Sequence, residues 1–496
     1  MLRCVKHGAN RLMRNKFKNK AYFADKDKDY TLFPFNFERL SQDEVLIVNA
    51  VGEFSFIQDR ELQELVAGEL PTDTELYQEL KRKSFLAGSE DSYALRCLSA
   101  KYRQRKSFLS GGPGLHIFVI TLRCGNSCEY CQASRKSVTS SQHDMSQETA
   151  RNAVDRVFES PNQRITIEFQ GGEPLLAFDL IKFIVDYAHE KNSVHGKSLV
   201  FVIATSLQYI TDEMLDFIKL HSIQISTSLD GPEALHNKNR PSSCGNSYQS
   251  TLAGIRKVRE AIGDEAIAAM TTITKDSLPF HQEIVDEYVK HGFHSIFLRP
   301  LNMYGFAVKR ESKVSYTSAE YFAFYQKSLQ YIIDINKAGY YLDEVTASLA
   351  LNNMLTGRAV GYVDLRSPCG DGTGVLVYHY NGYVYPSDEA RMLYDMGDNK
   401  FCLGSVEAPY VELISSDVMG EILMSGVAES LPACAYCAYL PYCGANPIQN
   451  YSRTGDLGGH RAKNDFCNKQ KPLYRHLFSL LEENKDVFTS WVTRGK

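Results

Sequence analysis

Short apolar runs alternate with amphipathic helical stretches through the middle of the chain. Short apolar strands that alternate with helices indicate a parallel sheet with helical cover. Six such runs are "HIFVITL", "RITIEFQG", "LVFVIATS", "IQISTSLD", "AIAAMTTIT" and "SIFLRPL". Between them, segments such as "LIKFIVDYAHEK" and "YQSTLAGIRKVREAI" place apolar residues at helical spacing. The alternation predicts an α/β fold, and six units favour a partial (β/α)6 barrel of TIM type over a complete barrel of eight.

The pattern changes near residues 110 and 340, which predicts three parts. Residues 1–110 form an N-terminal α+β unit, in which "DEVLIVNAVGEFSFI" is typical of two strands around a glycine turn, with helical segments after it. Residues 111–340 follow the breaker "SGGPG" and contain the barrel. In residues 341–496 the periodicity is lost and Gly, Tyr and Cys are frequent. Such a region has little room for a large core, so metal clusters would help to stabilise it.

Composition and charge exclude some classes of protein. The formal net charge is −4, which does not fit a nucleic-acid binder with a strongly basic face. No apolar run reaches the roughly 18 to 20 residues of a membrane-spanning helix. The basic N-terminus "MLRCVKHGANRLMRNKFKNK" lacks the apolar stretch of a secretory signal, and is either a loose tail or a short amphipathic helix. We therefore expect a cytoplasmic protein.

The chain has twelve cysteines, and without a secretory signal they indicate reduced thiols and metal binding more than disulfides. Cys124, Cys128 and Cys131 have C-x3-C-x2-C spacing directly after the first predicted strand, where parallel α/β folds place their active sites. Three thiolates on one loop suit a [4Fe–4S] cluster in which one iron lacks a protein ligand and can bind a small molecule. The alternatives are three incidental thiols, or half of a zinc site with a distant fourth ligand.

The other cysteines are unevenly spaced. Cys434, Cys437 and Cys443 form a second group, with C-x2-C-x5-C spacing that also suits zinc. The flanking cysteines are Cys369, Cys402 and Cys467, and the isolated ones, expected to be ordinary thiols, are Cys4, Cys97 and Cys244.

Polar or glycine residues also follow later predicted strands. The second strand ends in "GGEP", from Gly171 to Pro174. Glycines at such a point let the backbone approach a ligand closely, and the Glu173 carboxylate can pair with an ammonium group. Strand three ends at Thr205 and Ser206, strand four at "STSLDG" and strand six at Leu298.

The C-x3-C-x2-C motif after the first strand of a partial barrel resembles the radical S-adenosylmethionine (radical SAM) superfamily. The resemblance implies that Cys124, Cys128 and Cys131 hold a [4Fe–4S] cluster and that its open iron binds SAM. It also implies a set of SAM-binding residues: Tyr130 beside the adenine, Gly171, Gly172 and Glu173 at the amino group, Thr205, Ser206, Ser228 and Asp230 near the ribose and substrate, and Leu298 by its backbone. Tyr130 could instead be a packing residue. His236 and Arg240, in "HNKNRP", face the substrate or serve the loop.

The second cysteine group resembles the SPASM extension of radical SAM peptide maturases, which binds two auxiliary clusters. Ser387 and Pro447 stand where that pattern has two cysteines of the first auxiliary cluster. The four thiols of the second, Cys434, Cys437, Cys443 and Cys467, are present. We therefore expect one auxiliary [4Fe–4S] cluster. Cys369 and Cys402 are either a partial site or buried free thiols.

Asp388 follows the substituted position, in "YPSDEARML". In sulfatase maturases of this branch, an Asp at the matching place is a base toward the substrate. The resemblance thus implies a catalytic Asp388, with an ordinary surface Asp as the alternative.

Along its length the chain is most similar to the radical SAM maturase of the His-Xaa-Ser peptide system. The resemblance implies a radical SAM oxidoreductase that modifies a ribosomally made peptide, an electron donor such as flavodoxin or ferredoxin, and a partner maturase. The N-terminal unit is then either a winged-helix-like element that recognises the peptide leader or a packing extension of the barrel. Two alternatives stay open: a sulfatase-type formylglycine maturase, and a zinc-binding scaffold without enzyme activity.

Overall fold

The structure is a computed structural model that describes residues 29–243, 245–357, 362–460 and 464–494. Cys4, Cys244 and the basic N-terminal segment lie outside these residues. The chain divides into two compact units, Met1–Lys101 and Tyr102–Lys496.

The first unit combines small antiparallel sheets with helices. Its strands are β1 (Tyr30–Leu32), β2 (Phe35–Arg39), β3 (Glu44–Asn49), β4 (Phe54–Gln58) and β5 (Leu86–Gly88). Its helices are α1 (Asp59–Ala67), α2 (Glu75–Arg82) and the start of α3 (Ala94–Arg105). β3 pairs with β2 and β4, and β1 pairs with β5. Val45 and Ile47 of β3 pack on Leu65 of α1 and Leu80 of α2, so the predicted hairpin and helices share one apolar core.

The second unit is built on a ten-stranded sheet. Six consecutive strands pair in parallel: β6 (Leu115–Thr121), β7 (Arg164–Gly171), β8 (Ser198–Ala204), β9 (Gln224–Ser228), β10 (Ile267–Ile273) and β11 (Ser295–Pro300). The remaining strands are β12 (Asp343–Glu344), β13 (Val375–His379), β14 (Tyr383–Tyr385) and β15 (Gly404–Ser405). The sheet order is β12-β11-β10-β9-β8-β7-β6-β13-β14-β15. The predicted α/β fold with a parallel sheet is confirmed.

Helices separate the parallel strands, as their apolar spacing predicts. Those of the barrel region are α4 (Gln147–Glu159), α5 (Phe178–His195), α6 (Asp212–Leu220), α7 (Glu233–Asn239), α8 (Ser247–Ala261), α9 (His281–Lys290), α10 (Phe306–Lys309), α11 (Glu311–Val314) and α12 (Ser318–Lys337). Those that follow are α13 (Val345–Leu355), α14 (Asp388–Asp395), α15 (Tyr410–Ile414), α16 (Asp417–Gly426), α17 (Pro447–Thr454), α18 (Asp465–Leu480) and α19 (Lys485–Arg494). Among the described residues, none of the helices is both long and apolar enough to span a bilayer.

The sheet continues past residue 340. β13 lies parallel to β6, with Val375 opposite Leu115 and His379 opposite Val119. The residues after the barrel strands therefore extend the barrel sheet by four strands, β12 beside β11 and β13 to β15 beyond β6, and they bring α14 to the same sheet. The three-part division of the chain stays a prediction.

A buried carboxyl group joins the edge of the sheet to its helices. Glu344 is fully buried, and it accepts hydrogen bonds from the Tyr325 hydroxyl, the Ala347 backbone N–H at 2.7 Å and the Leu298 N–H at 3.3 Å. One side chain thus ties β11, α12 and α13 to β12. Burial raises the pKa of Glu344 from 4.5 to about 7, against the opposing effect of these hydrogen bonds.

This raised pKa makes stability depend on pH. Between 4.5 and about 7 the folded state holds a proton that the unfolded state has released, so the stability from this group is lost as pH rises through about 7. Between about pH 5 and about pH 7.5, the wild-type melting temperature should therefore fall more than that of Glu344→Gln. The corresponding extra loss in the free energy of unfolding is at most about 3 kcal/mol. Exposed Glu412→Gln is the control, and equal pH dependence in wild type and Glu344→Gln would contradict the assignment.

Candidate active site

A cavity of about 230 Å³ opens at the C-terminal ends of the parallel strands. It is lined from the loop after β6, the ends of β7 to β11 and the start of α14. The predicted site residues on its wall are Cys124, Cys128, Tyr130, Cys131, Gly171, Gly172, Glu173, Thr205, Ser206, Ser228 and Asp388. The structure therefore brings together groups that are up to 264 positions apart, from Cys124 to Asp388.

Neighbouring backbone holds the cysteine loop in place. The N–H of Cys124 donates to the Lys136 carbonyl at 3.1 Å, and that of Cys131 to the Cys128 carbonyl at 3.2 Å. The loop also hydrogen-bonds to the segment after α7, where Ser127 donates to the Pro241 carbonyl at 2.6 Å. Since these bonds are to backbone atoms, they define the path of the loop whatever its side chains bind.

Two glycines allow the end of β7 to pass against the start of this loop. The N–H of Gly172 donates to the Thr121 carbonyl at 2.8 Å, and that of Glu173 to the Arg123 carbonyl at 2.7 Å. A Cβ on Gly171, whose φ is +136°, would lie 1.9 Å from the Thr121 oxygen. The glycines predicted to approach a ligand thus approach the cysteine loop itself.

The three thiols suit a metal cluster. Burial raises the pKa of Cys124, with a further contribution from the Glu173 carboxylate, and it raises that of Cys128 to about 12. Buried thiols of this kind ionise when a metal supplies the compensating positive charge. Among the described residues, no group of three His, Cys, Asp or Glu side chains is arranged around a single metal ion. A cubane needs wider spacing, because each thiolate binds a different iron.

Glu173 is buried beside the thiols, within a ring of donors. Its carboxylate accepts hydrogen bonds from the Thr205 hydroxyl at 2.5 Å, from the Ser206 N–H at 2.9 Å and from the Ser206 hydroxyl. Burial raises its pKa, against the effect of these hydrogen bonds. Thr205 and Ser206, predicted to contact SAM, here position the carboxylate that is predicted to bind its amino group.

Tyr130 is held on two sides. Its hydroxyl donates to Asp230 at 2.6 Å, and the Arg240 guanidinium lies 5.3 Å from its ring centroid. Arg240 also pairs with Asp230 at 3.0 Å. Asp230 is fully buried behind the ring and does not line the cavity, so the structure does not place it at a ribose. His236 accepts the Asp230 N–H at 3.3 Å, which fits the loop role.

Leu298 is not placed at the cavity either. Its side chain is fully buried, its N–H donates to Glu344 and its carbonyl accepts the Tyr321 hydroxyl at 2.7 Å. The next residue, Arg299, does line the cavity. Alternation along β11 accounts for the difference, because neighbouring side chains point to opposite faces of a strand.

Asp388 begins α14, which Ser387 caps by accepting the Ala390 N–H at 3.4 Å. Asp388 forms an ion pair with Arg391, whose guanidinium is fully buried and also contacts Asp395 at 3.0 Å. Sequence reasoning missed Arg391 as a lining residue. Arg391 lies three positions after Asp388 and four before Asp395, an i, i+3, i+7 spacing that places three charges on one helix face, so the signal was present.

The four thiols predicted for the auxiliary cluster lie close enough to influence one another. The pKa of Cys443 is raised, mainly because the thiol is buried and further because Cys437, Cys434 and Cys467 would repel its negative charge. Cys467 lies in the first turn of α18, where its N–H donates to the capping Asn464 at 3.2 Å. This donor set of four thiols from two separate segments fits a second cluster.

The residues around Cys369 do not fit a further cluster. Cys369 is buried in an apolar group that includes Met392, Phe401 and Ile422. Its sulfur lies 2.4 Å from the point where a Cβ on Gly426 would be, so the surrounding backbone is closely packed. Ser387 and Pro447 instead cap α14 and begin α17. Cys402 packs at the edge of the same group.

Comparison with known proteins gives a family match in this region. Residues 118–295 match the model of the radical SAM superfamily. An uncharacterized protein of Methanocaldococcus jannaschii is 34% identical over 181 residues, which cover 36% of this chain and 60% of that protein. The radical SAM cyclopropyl synthase TigE of Paramaledivibacter caminithermalis is 23% identical, over 49% of this chain and 50% of that one. The chain thus spans less than two thirds of the length of either relative.

A third relative is covered more fully. A cysteine-type anaerobic sulfatase-maturating enzyme of Clostridium perfringens is 21% identical over 367 residues, or 72% of this chain and 94% of that enzyme.

Two solved structures share the fold. Native anSMEcpe with bound AdoMet and the Cp18Cys peptide has a TM-score of 0.63 at 18% identity, covering 76% of this chain and 100% of that one. SuiB of Streptococcus suis bound to S-adenosylmethionine has a TM-score of 0.54 at 14% identity, covering 88% and 99%. At these identities the likeness concerns the fold alone. The family match covers residues 118–295 of the 496-residue chain, and the cysteine loop within it follows the first parallel strand, β6.

Proposed function

We propose that the chain is a radical SAM enzyme that modifies a ribosomally made peptide or protein. The observation that carries the proposal is the convergence of Cys124, Cys128 and Cys131 with Tyr130 and Glu173 on one cavity. Three thiolates leave one iron of a cubane free for SAM, while the other two side chains offer an aromatic face and a carboxylate at the same place. The family match over the barrel supports the assignment.

Each residue then has a defined task. Cys124, Cys128 and Cys131 would hold the [4Fe–4S] cluster. When bound, the cluster and SAM supply a 5′-deoxyadenosyl radical that abstracts a hydrogen atom from an unactivated carbon. Glu173, whose carboxylate also accepts the Ser206 hydroxyl, would pair with the amino group of SAM. The Tyr130 ring, fixed by Asp230, presents a flat face for the adenine.

The relatives support a peptide substrate. The likeness extends to anSMEcpe with its Cp18Cys peptide and to SuiB with its precursor peptide SuiA, at TM-scores of 0.63 and 0.52. Asp388 lines the same cavity from α14, which supports a role for its carboxylate toward a substrate bound there. We assign it as the base toward the substrate, with Arg391 holding it in place.

The finer assignment rests on the sequence. We infer a substrate of the His-Xaa-Ser type, an electron donor such as flavodoxin or ferredoxin, a partner maturase, a cytoplasmic location and leader recognition by the N-terminal unit. A sulfatase-type maturase is the second candidate, because the sulfatase-maturating enzyme of Clostridium perfringens is matched over 94% of its length. The replacement of two ligands by Ser387 and Pro447, and the packed surroundings of Cys369, favour the first.

Iron content tests the number of clusters. Anaerobically reconstituted wild type should hold about eight irons per chain, from two cubanes, and Cys434→Ala about four. Cys97→Ala, which removes an exposed thiol outside both groups, should leave the content unchanged. About twelve irons in the wild type would contradict a single auxiliary cluster. Colourless protein with stoichiometric zinc would favour the scaffold.

SAM affinity tests Glu173. Glu173→Gln removes the charge that pairs with the ammonium group, so the Kd for SAM should rise about tenfold or more, as expected for a charge-assisted hydrogen bond. Isothermal titration of the reconstituted protein measures it, with the exposed substitution Glu190→Gln as the matched control. An unchanged Kd in Glu173→Gln would contradict the assignment of Glu173 as the partner of the SAM amino group.

Peptide turnover tests Asp388. Co-expression with a candidate precursor peptide, followed by tandem mass spectrometry, should show modification by the wild type and at least a tenfold loss in Asp388→Asn. Iron content and 5′-deoxyadenosine formation show whether the clusters and SAM binding are intact in the variant. Modification at the wild-type level would leave Asp388 as an ordinary partner of Arg391.

A further inference from the structure

Three cavities lie in series within residues 102–496. The cavity of about 230 Å³ at the cysteine loop, the inner cavity, shares the lining residues Gln170, Met270, Arg299 and Asp388 with a second cavity of about 300 Å³, the middle cavity. The middle cavity in turn shares Phe322, Gln449 and Lys469 with an outer cavity of about 1020 Å³. Each group of shared side chains, a neck, borders two adjoining cavities, and the three cavities in series, the passage, run from the outer cavity to the cysteine loop.

The walls of the middle cavity are largely apolar. They include Leu115, Phe297, Val375, Phe466 and Leu473. Such walls suit an aliphatic stem.

Most of the charged groups that line the middle cavity are carboxyl groups. Four carboxyl groups line it, those of Glu168, Asp364, Asp388 and Glu389, against the two cations Arg299 and Lys469. Within the described residues neither Asp364 nor Glu389 forms a salt bridge. Burial first, and then repulsion from Asp364 and Asp388, raises the pKa of Glu389 to about 7. The carboxyl groups thus lie close together without enough positive charge between them.

One neutral acceptor adds to these carboxyl groups. Gln470 Oε1 belongs to a lining residue, is buried, and has no hydrogen-bond partner within the part of the chain that the structure describes. The Thr346 hydroxyl, which is also buried and without a partner there, can accept as well as donate. A buried acceptor without a donor is costly, so a ligand that brings N–H groups would be stabilised here. An apolar stem with a positively charged, N–H-bearing head matches both the walls and the polar groups.

We propose that the passage admits the substrate chain and that the middle cavity binds a cationic side chain of that substrate, such as lysine, next to the carbon that reacts. This inference rests on the proposed function, since it names the chemistry of the substrate at the same site. Asp364 and Glu389 are the specificity-determining residues, and Gln449 lies at the outer neck.

Peptide binding tests the proposal. The probes are two synthetic peptides, acetyl-Ala-Ala-X-Ala-Ala-amide, in which X is lysine or its uncharged analogue norleucine. Isothermal titration into reconstituted protein with SAM present should give a Kd at least tenfold lower for the lysine peptide. Asp364→Asn with Glu389→Gln, two substitutions that preserve shape, should abolish the difference. Gln449→Trp should weaken binding of the lysine peptide at least tenfold, and the exposed substitution Gln330→Trp should leave it unchanged.

The outcomes separate the two proposals. Equal affinity for both peptides, preference for norleucine, or no binding of either would overturn the charge assignment. Wild-type binding by Gln449→Trp would overturn the passage. Iron content and melting temperature show whether each variant is folded. A wild type that forms no 5′-deoxyadenosine from SAM would instead overturn the proposed function, whatever the peptides do.

Discussion

The hydrogen bonds from Gly172 and Glu173 to the carbonyl oxygens of Thr121 and Arg123 join the second parallel strand to the cysteine loop. Because these two backbone segments lie so close together, a side chain at position 171 would collide with the Thr121 carbonyl oxygen, and only glycine fits there. This contact fixes the position of the backbone just before Cys124 and the orientation of Glu173. The rest of the cavity wall is arranged around that edge of the sheet.

The parallel sheet brings together residues that are far apart in the sequence. All six barrel strands end at the same edge, so the residue that follows each strand lies beside the residues that follow its neighbours. The pairing of β13 with β6 extends this to the region after residue 340, and α14 brings Asp388 and Arg391 to the thiols. The inner and middle cavities thus meet at groups from β7, β10, β11 and α14.

Local pattern predicted most of the framework. The run "RITIEFQG" coincides with β7, and the segment "LIKFIVDYAHEK" lies within α5, because apolar periodicity reports which face of an element is buried. The exceptions are Asp230, which follows β9, and Leu298, which lies within β11, because both are buried and neither lines the cavity. Their surroundings depend on packing from α7, α12 and β12, and no local pattern contains that information.

The sequence by itself determined the donor chemistry: thiol spacing is a property of one short segment, so three cysteines on one loop indicate a cluster with an open iron before any fold is known. Only the tertiary structure decided which partner each buried charge has. Asp230 pairs with Arg240 and supports Tyr130, whereas Asp364 and Glu389 stand together without a salt bridge in the described chain. The physical reason is that a charge removed from water depends on whatever groups packing places beside it, and those groups come from distant parts of the chain.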